Sequence, residues 1–218
     1  MTETQTNSNR LPDTVLSGFL GAGKTTLLNL IAGIDPHFEG RFDQAPEQRL
    51  AYVFQEPTLL PWRTIEQNLR LVLPPEERPS DRPLRYLKRM GLLDYRQAYP
   101  GDLSLGMARR VSLARAFSIQ PDLLLLDEPF VSLDEENAAL LRRLLLELWE
   151  ERQCAVLFVT HDLNEALELA DRVLFFSPEA RGIVHETHLT QPREHRNAEF
   201  LAELRRELTF SAPDKEEA

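Results

Sequence analysis

Cysteine is all but missing from this sequence. Cys154 stands alone among 218 residues, so no intrachain disulfide can form and a reducing compartment is expected. Long apolar runs are missing as well. The longest, residues 154–159, has six members, whereas a membrane-crossing helix needs about 20. Any membrane association is therefore expected to run through a partner. Residues 1–10 are polar and lack the apolar stretch of a signal peptide. Positive charge is in deficit too. The 25 Lys and Arg face 35 Asp and Glu, for a formal net charge of −10. That balance argues against an electrostatic grip on nucleic acid as the main task. It leaves nucleotide binding open, because a few backbone amides and one lysine suffice to hold phosphates.

The apolar fraction is 42 %, ordinary for a globular protein with a real core. The length suits one compact domain, or a core with an inserted subdomain. Residues 1–12 read as a disordered tail and 211–218 as a charged one. Residues 14–16 form a short strand candidate that runs into a glycine-rich turn. Residues 24–34 carry Leu27, Leu28, Leu30 and Ile31 at helical spacing. A second strand is expected over 50–54. From about 58 to 118 the pattern changes, with prolines between helical stretches near 65–73 and 84–90, and this reads as an inserted helical subdomain. Strands return at 123–126, 155–160 and 172–177, with helices at 135–153 and 163–170 between them. Strand and helix in alternation mean an α/β layered fold. The continuous apolar run 123–126 fits a strand buried on both faces of a parallel sheet.

The chemistry begins at Gly18-Phe19-Leu20-Gly21-Ala22-Gly23-Lys24-Thr25, which fits the phosphate-loop pattern G-x-x-x-x-G-K-[ST] and sits between a strand and a helix. Glycines let backbone N–H groups turn inward onto phosphate oxygens, and the helix N-terminus adds partial positive charge. In this pattern Lys24 bridges the β- and γ-phosphates and the Thr25 hydroxyl ligates Mg²⁺. Further along, Asp127 and Glu128 end a buried strand, the edge at which open α/β sheets bind ligands. Asp127 is a candidate Mg²⁺ holder. Glu128 is a candidate to polarise an attacking water. A strand-ending turn before Pro129 would explain the pair alone, but not the pair together with the phosphate loop.

From about residue 24 to 210 the chain resembles ABC-transporter ATPase subunits. Gln55, in Val53-Phe54-Gln55-Glu56, matches the Q-loop glutamine. Leu103-Ser104-Leu105-Gly106-Met107 resembles the signature motif, Ser132-Leu133-Asp134 the D-loop, and His161 in Val159-Thr160-His161-Asp162 the switch histidine. The resemblance implies a P-loop NTPase core, a RecA-like parallel sheet, with an inserted helical subdomain in a single domain over 13–210. It implies ATP and Mg²⁺ as ligands. Gly18, Gly21, Ala22, Gly23, Lys24, Thr25 and Thr26 would bind the nucleotide. Thr25, Gln55 and Asp127 would serve the metal, with Glu128, His161 and Gln55 in catalysis. Ser104 and Gly106 would complete the site of a second copy, two chains enclosing two ATP molecules, and Asp134 of the D-loop is a further nucleotide-binding candidate. The further partners implied are a membrane permease and, indirectly, a periplasmic solute-binding protein, with no nucleic acid. The location implied is peripheral, at the cytoplasmic face of the inner membrane. The stretches Gln55-Glu56-Pro57-Thr58-Leu59-Leu60-Pro61-Trp62 and Asp127-Glu128-Pro129-Phe130 look like the nitrate, sulfonate and taurine importer branch, which also includes carriers of thiamine-precursor pyrimidines.

Several positions depart from that family. Leu20 and Ala22 stand where Ser and Cys are common, and residues 11–29 look like the start of a cobalamin-synthesis-type metallochaperone GTPase. Leu105 replaces a signature glycine and Met107 a glutamine. Only 17 residues precede Gly18, none of them aromatic, so the N-terminal antiparallel β-layer is expected to be truncated and its adenine-stacking aromatic missing. Phe38 or Phe42 are candidate replacements, while Phe19 lies inside the phosphate loop. The GTPase reading lacks an N-K-x-D element and a Cys-x-Cys-Cys site. A nucleotide-binding ABC protein that is hydrolytically impaired or regulatory remains the main alternative. His185 and His188 lack a third ligand, and metal binding there is not expected.

Overall fold

The computed structural model describes residues 14–18, 24–39, 48–177 and 182–211. The order is β1 (Thr14–Gly18), α1 (Lys24–Ile31), β2 (Leu50–Val53), α2 (Ile65–Leu71), α3 (Arg82–Arg89), α4 (Leu105–Ser118), β3 (Leu123–Asp127), α5 (Glu135–Arg152), β4 (Ala155–Thr160), α6 (Leu163–Leu169), β5 (Arg172–Ser177), β6 (Gly182–His188) and α7 (Ala198–Ser211). The six strands form one sheet in the order β2-β3-β4-β1-β5-β6. The first five run parallel, and β6 pairs antiparallel with β5. Among the described residues β6 is the one antiparallel strand. The expected tail at 1–12, the expected tail at 211–218 beyond Ser211 (which ends α7), and the loop residues Phe19 and Phe42 lie outside the described residues.

The sheet is buried on both sides, and β3 shows why its sequence is Leu123-Leu124-Leu125-Leu126. Leu124 and Leu126 join the large apolar cluster with Phe117, Val111 and Leu148. Leu125, pointing the other way, packs with Leu28, Val159 and Leu174 under α1. Each face of a strand takes alternate residues, so a strand covered twice needs an unbroken apolar run.

Element ends follow local chemistry. The helix expected over 24–34 stops at Ile31 because Gly33 takes φ 68°. There the Gly33 N–H reaches Leu30 O and the Ile34 N–H reaches Asn29 O, at 3.0 and 2.9 Å, the paired closing bonds of a Schellman cap. The stretch expected over 65–73 stops at Leu71, short of Pro74. At its start the Thr64 side chain accepts from Gln67 N, and Gln67 accepts from Thr64 N, a capping box. The helix expected from 84 begins earlier, at Arg82, because Pro83 sits in its first turn. The strand expected over 50–54 ends at Val53, and the Phe54 ring stacks on Tyr52 with centroids 4.1 Å apart. Helices α2, α3 and α4 occupy the chain between β2 and β3, with α4 packed against α2, α3, α5 and β2.

Candidate functional site

Three neighbouring strands, β3, β4 and β1, deliver their C-terminal ends to one edge of the sheet. β3 ends on Asp127, followed by Glu128, and β4 ends on Thr160, followed by His161. The first turn of α1 supplies Lys24 and Thr25. Crossovers are what bring these together, since Lys24 and Thr160 are 136 positions apart in sequence yet share a hydrogen bond of 3.0 Å from Lys24 Nζ to Thr160 O.

Lys24 is buried, with 4 % of its surface exposed. Burial pulls its ammonium below the ordinary lysine value, while the negative charges of Glu128 and Asp127 oppose that shift. A desolvated ammonium flanked by two acids is suited to a polyanion that brings its own charge. Thr25 Oγ1 donates to Asp127 Oδ1 at 3.2 Å. Burial raises the Asp127 carboxyl above the usual carboxylate range, opposed first by the Thr25 hydrogen bond. The Tyr52 hydroxyl lies 3.5 Å from Asp127 Oδ2 and donates to Asn29 Oδ1 at 3.1 Å. Burial and the Asp127 charge push the Tyr52 phenol well up, so it stays protonated as a donor.

Glu128 adopts φ 44°, the left-handed region that a non-glycine residue enters only when its surroundings impose it. Two contacts impose it here. The Glu128 N–H donates to Val159 O at 2.9 Å, and the carboxylate Oε2 meets His161 Nδ1 at 2.9 Å. The strained backbone turns the side chain off the end of β3 toward the neighbouring strand. A polar cleft of about 230 Å³ opens beside the pair, walled by Glu128, Ser132, Thr160, His161 and Glu165. Thr160 Oγ1 donates to Glu165 Oε2 at 2.5 Å and accepts from Asp162 N at 3.0 Å, which fixes the turn that presents His161.

Lys24, Thr25, Asp127, Glu128 and His161 are thus brought together. Gly18 ends β1 opposite Phe176 of β5, and Thr26 is exposed on α1. Gly21, Ala22 and Gly23 lie outside the described residues. Gln55 is exposed just beyond β2. Ser104 and Asp134 make their side-chain bonds within their own helix starts. Ser104 Oγ accepts from Met107 N, and Asp134 accepts from Asn137 N and Nδ2. Gly106 lies against Asn137, where an added Cβ would come within 2.7 Å of Oδ1. Phe38 is exposed. His185 and His188 turn to Thr187 and Glu186, and no cluster of three metal-ligating side chains occurs among the described residues.

Sequence reasoning missed Tyr52, Asn29, Thr160 and Glu165. Tyr52 was within reach of it: Ala51 and Val53 are buried on one face of β2, which leaves the intervening tyrosine on the α1 side. The others become visible only once the crossovers are known.

A phosphate-loop lysine, an acid pair on a buried parallel strand and a Glu–His pair at the same sheet edge define a P-loop nucleotide-binding fold. A family model described as ABC transporter matches residues 7–131, a span that includes the atypical phosphate loop. The chain belongs to the ABC transporter family. It is 45 % identical over 195 residues to an aliphatic sulfonates import ATP-binding protein of Streptomyces avermitilis, covering 88 % of this chain and 73 % of that protein. A protein of the same description from Granulibacter bethesdensis is 44 % identical, with 88 % and 79 % covered. Among solved structures, a dimeric ATP-binding cassette in a post-hydrolysis state bound to ADP and Pi superimposes with TM-score 0.68 at 27 % identity, covering 83 % of this chain and 87 % of that one. No described helix is long and apolar enough to cross a membrane.

Proposed function

We propose that the chain binds and hydrolyses ATP with Mg²⁺ and thereby energises import of a small sulfonate-like solute through a separate membrane permease. The observation that carries this reading is the convergence of Lys24, Thr25 and Asp127 with the 2.9 Å Glu128–His161 pair at one sheet edge. Lys24 anchors the β- and γ-phosphates, exchanging its bond to Thr160 O for phosphate oxygens. The Thr25 hydroxyl and Asp127 carboxylate are hard oxygen donors already in contact, a set that suits Mg²⁺, with Gln55 joining them as the loop beyond β2 closes. The ion, when bound, neutralises charge on the phosphates. Tyr52, itself hydrogen-bonded to Asn29, backs the Asp127 carboxylate at 3.5 Å.

Glu128 orients the attacking water and takes its proton as the water oxygen bonds to the γ-phosphorus and the bond to ADP breaks. His161 holds the Glu128 carboxylate in that position. A second copy contributes Ser104 and Gly106, at the start of α4, to the same phosphates, and Asp134 lines the junction. The stretch 58–118 acts as the subdomain that meets the permease at the cytoplasmic face of the membrane. A periplasmic binding protein supplies the solute. Sulfonate specificity rests on the names of the relatives, since the solute does not touch this subunit.

Two variants test the chemistry. Glu128→Gln should lower ATP turnover by roughly a thousandfold, the scale of removing one essential transition-state contact, and leave Mg-ATP binding intact. Lys24→Ala should lose binding itself. Native single-turnover hydrolysis by Glu128→Gln would refute the assignment. For the solute, deleting the gene should abolish uptake of an alkanesulfonate and spare uptake of sulfate.

A further inference from the structure

Arg109 is the one charged residue of α4 that is buried along with the helix's apolar face, at 4 % exposure. Its Nη2 donates to Val131 O at 3.3 Å. Its Nε and Nη1, also buried, have no hydrogen-bond partner. Buried guanidinium nitrogens are nearly always satisfied, because leaving them bare costs free energy. The void beside Arg109 has a volume of about 10 Å³ and is bordered by Val53, Leu113, Leu126, Phe130 and Leu141, at the lower limit for one water and without the further polar partners a water needs. The unused edge of this side chain therefore calls for a protein partner in some other state of the molecule.

The neighbouring turns of α4 show which partner. Arg109, Ser112 and Arg115 recur every three residues and share one face of the helix. Ser112 Oγ donates to Pro57 O at 2.7 Å. Arg115 donates to Pro57 O and to Thr58 O and Oγ1 at 3.1, 2.9 and 3.0 Å. The chain leaving β2 is thus laid along α4, with Thr58 over Arg115 and Pro57 over Ser112. Continued by one position, that track would set Glu56 toward Arg109. Glu56 is exposed, and it is the carboxylate whose field at Arg109 works against the effect of burial. Glu56 directly follows Gln55. Val131, at the other end of Arg109, closes the turn after Glu128, its N–H donating to Glu128 O at 3.3 Å.

We propose that Arg109 is a positioning residue that receives the Glu56 carboxylate on its unpartnered edge when Gln55 engages bound nucleotide, and that the resulting pair holds the Glu128–Val131 turn in its hydrolytic geometry. Arg109 exerts its role through Glu56 and Val131. It reports closure of the Q-loop to Glu128 within one chain, independently of the second copy's Ser104. The inference rests on the reading of this site as an ATPase.

The test is steady-state ATPase kinetics and thermal unfolding on the full chain with Glu56→Gln, Arg109→Met, Arg109→Lys and the Glu56→Gln/Arg109→Met double variant. Glu56→Gln, an exposed substitution, should leave the nucleotide-free unfolding temperature unchanged yet lower kcat roughly tenfold, with KM for ATP held within about twofold. Arg109→Met should lower kcat to the same degree, and the double variant should fall no further than either single one, the mark of two residues acting as one unit. Arg109→Lys, which keeps the charge without the fork, should recover part of the loss. Additive losses in the double variant would overturn the proposal, and so would a native kcat in Glu56→Gln. That second result leaves the ATPase reading standing, whereas a wild-type chain that hydrolyses no ATP would sink both. Should Arg109→Met fail to fold, Glu56→Gln decides the question alone.

Discussion

Glu165 is placed so that its charge is a burden. Burial holds its carboxyl above the ordinary 4.5, the Thr160 hydroxyl bond and the fields of Arg142 and His161 only partly opposing. A carboxyl that binds its proton more tightly folded than unfolded stabilises the fold below the unfolded pKa. That contribution is lost as pH rises from about 4.5 through the raised folded value. Glu165→Gln keeps an oxygen to accept from Thr160 but cannot ionise. Its urea midpoint should therefore exceed that of the wild type at pH 7, with the gap closing by about pH 4. A gap that persists at pH 4 would place the effect in packing rather than charge. The same residue marks where the sequence was readable and where it was not. Lys24, Asp127 and Glu128 could be assigned because each sits at a fixed offset in a local pattern whose chemistry depends on that offset. Glu165 and Asn29 reach the site through strand order and helix facing, which no local pattern encodes.

The start of α4 has one observed task and one proposed task, and substitution can separate them. Ser104 Oγ caps the helix by accepting from Met107 N at 3.3 Å, and the exposed N-terminal turn is also proposed to face the phosphates of a second copy. Ser104→Ala would confound the two, since losing a cap costs about 1 kcal/mol. Ser104→Asp separates them: aspartate caps as well as serine and suits the positive end of the helix dipole, but it sets a carboxylate against a phosphate. Unfolding without nucleotide should be unchanged, while the Mg-ATP-dependent dimer of a Glu128→Gln background should be lost by light scattering. Gly106→Ala probes packing instead. The added methyl meets Asn137 Oδ1 at 2.7 Å, and crowding of this kind typically costs 1–3 kcal/mol. Urea unfolding without nucleotide checks it, and an unchanged midpoint would show that Asn137 yields. Gly106 is thus explained by the α4–α5 contact as well as by the signature motif, and the sequence showed only the motif. The element types that were read were legible because apolar spacing and caps are local, whereas β6 and α7 were not read from the sequence. Several ends shifted, and those at Ile31, Leu71 and Arg82 moved where glycine or proline outweighed the apolar period.

At the scale of the whole molecule, the strand order gathers the proposed site at one edge of the sheet. β4 lies between β1 and β3, so one chain provides the floor of the proposed phosphate site from α1, β3 and β4. The proposed trans residues at the start of α4 project from a different part of the molecule. A site so divided couples ligand binding to association, and association leaves a thermodynamic signature. A ligand at 100 times its dissociation constant stabilises a protein by about 2.7 kcal/mol, which for a chain of this size raises the unfolding temperature by roughly 5–11 °C. For Glu128→Gln without nucleotide, a monomer should unfold at a temperature independent of protein concentration. With Mg-ATP the folded species is a dimer, so its unfolding temperature should climb further as the protein is concentrated. Lys24→Ala should show neither the ATP increment nor the concentration dependence. Ser104→Asp in the same background should keep the increment and lose the concentration dependence, because it still binds nucleotide in its own floor. Scanning calorimetry over a hundredfold range of concentration measures all three. An ATP increment that ignores concentration in Glu128→Gln would mean that one chain holds its nucleotide unaided, and the proposed second-copy roles of Ser104 and Gly106 would fall with it.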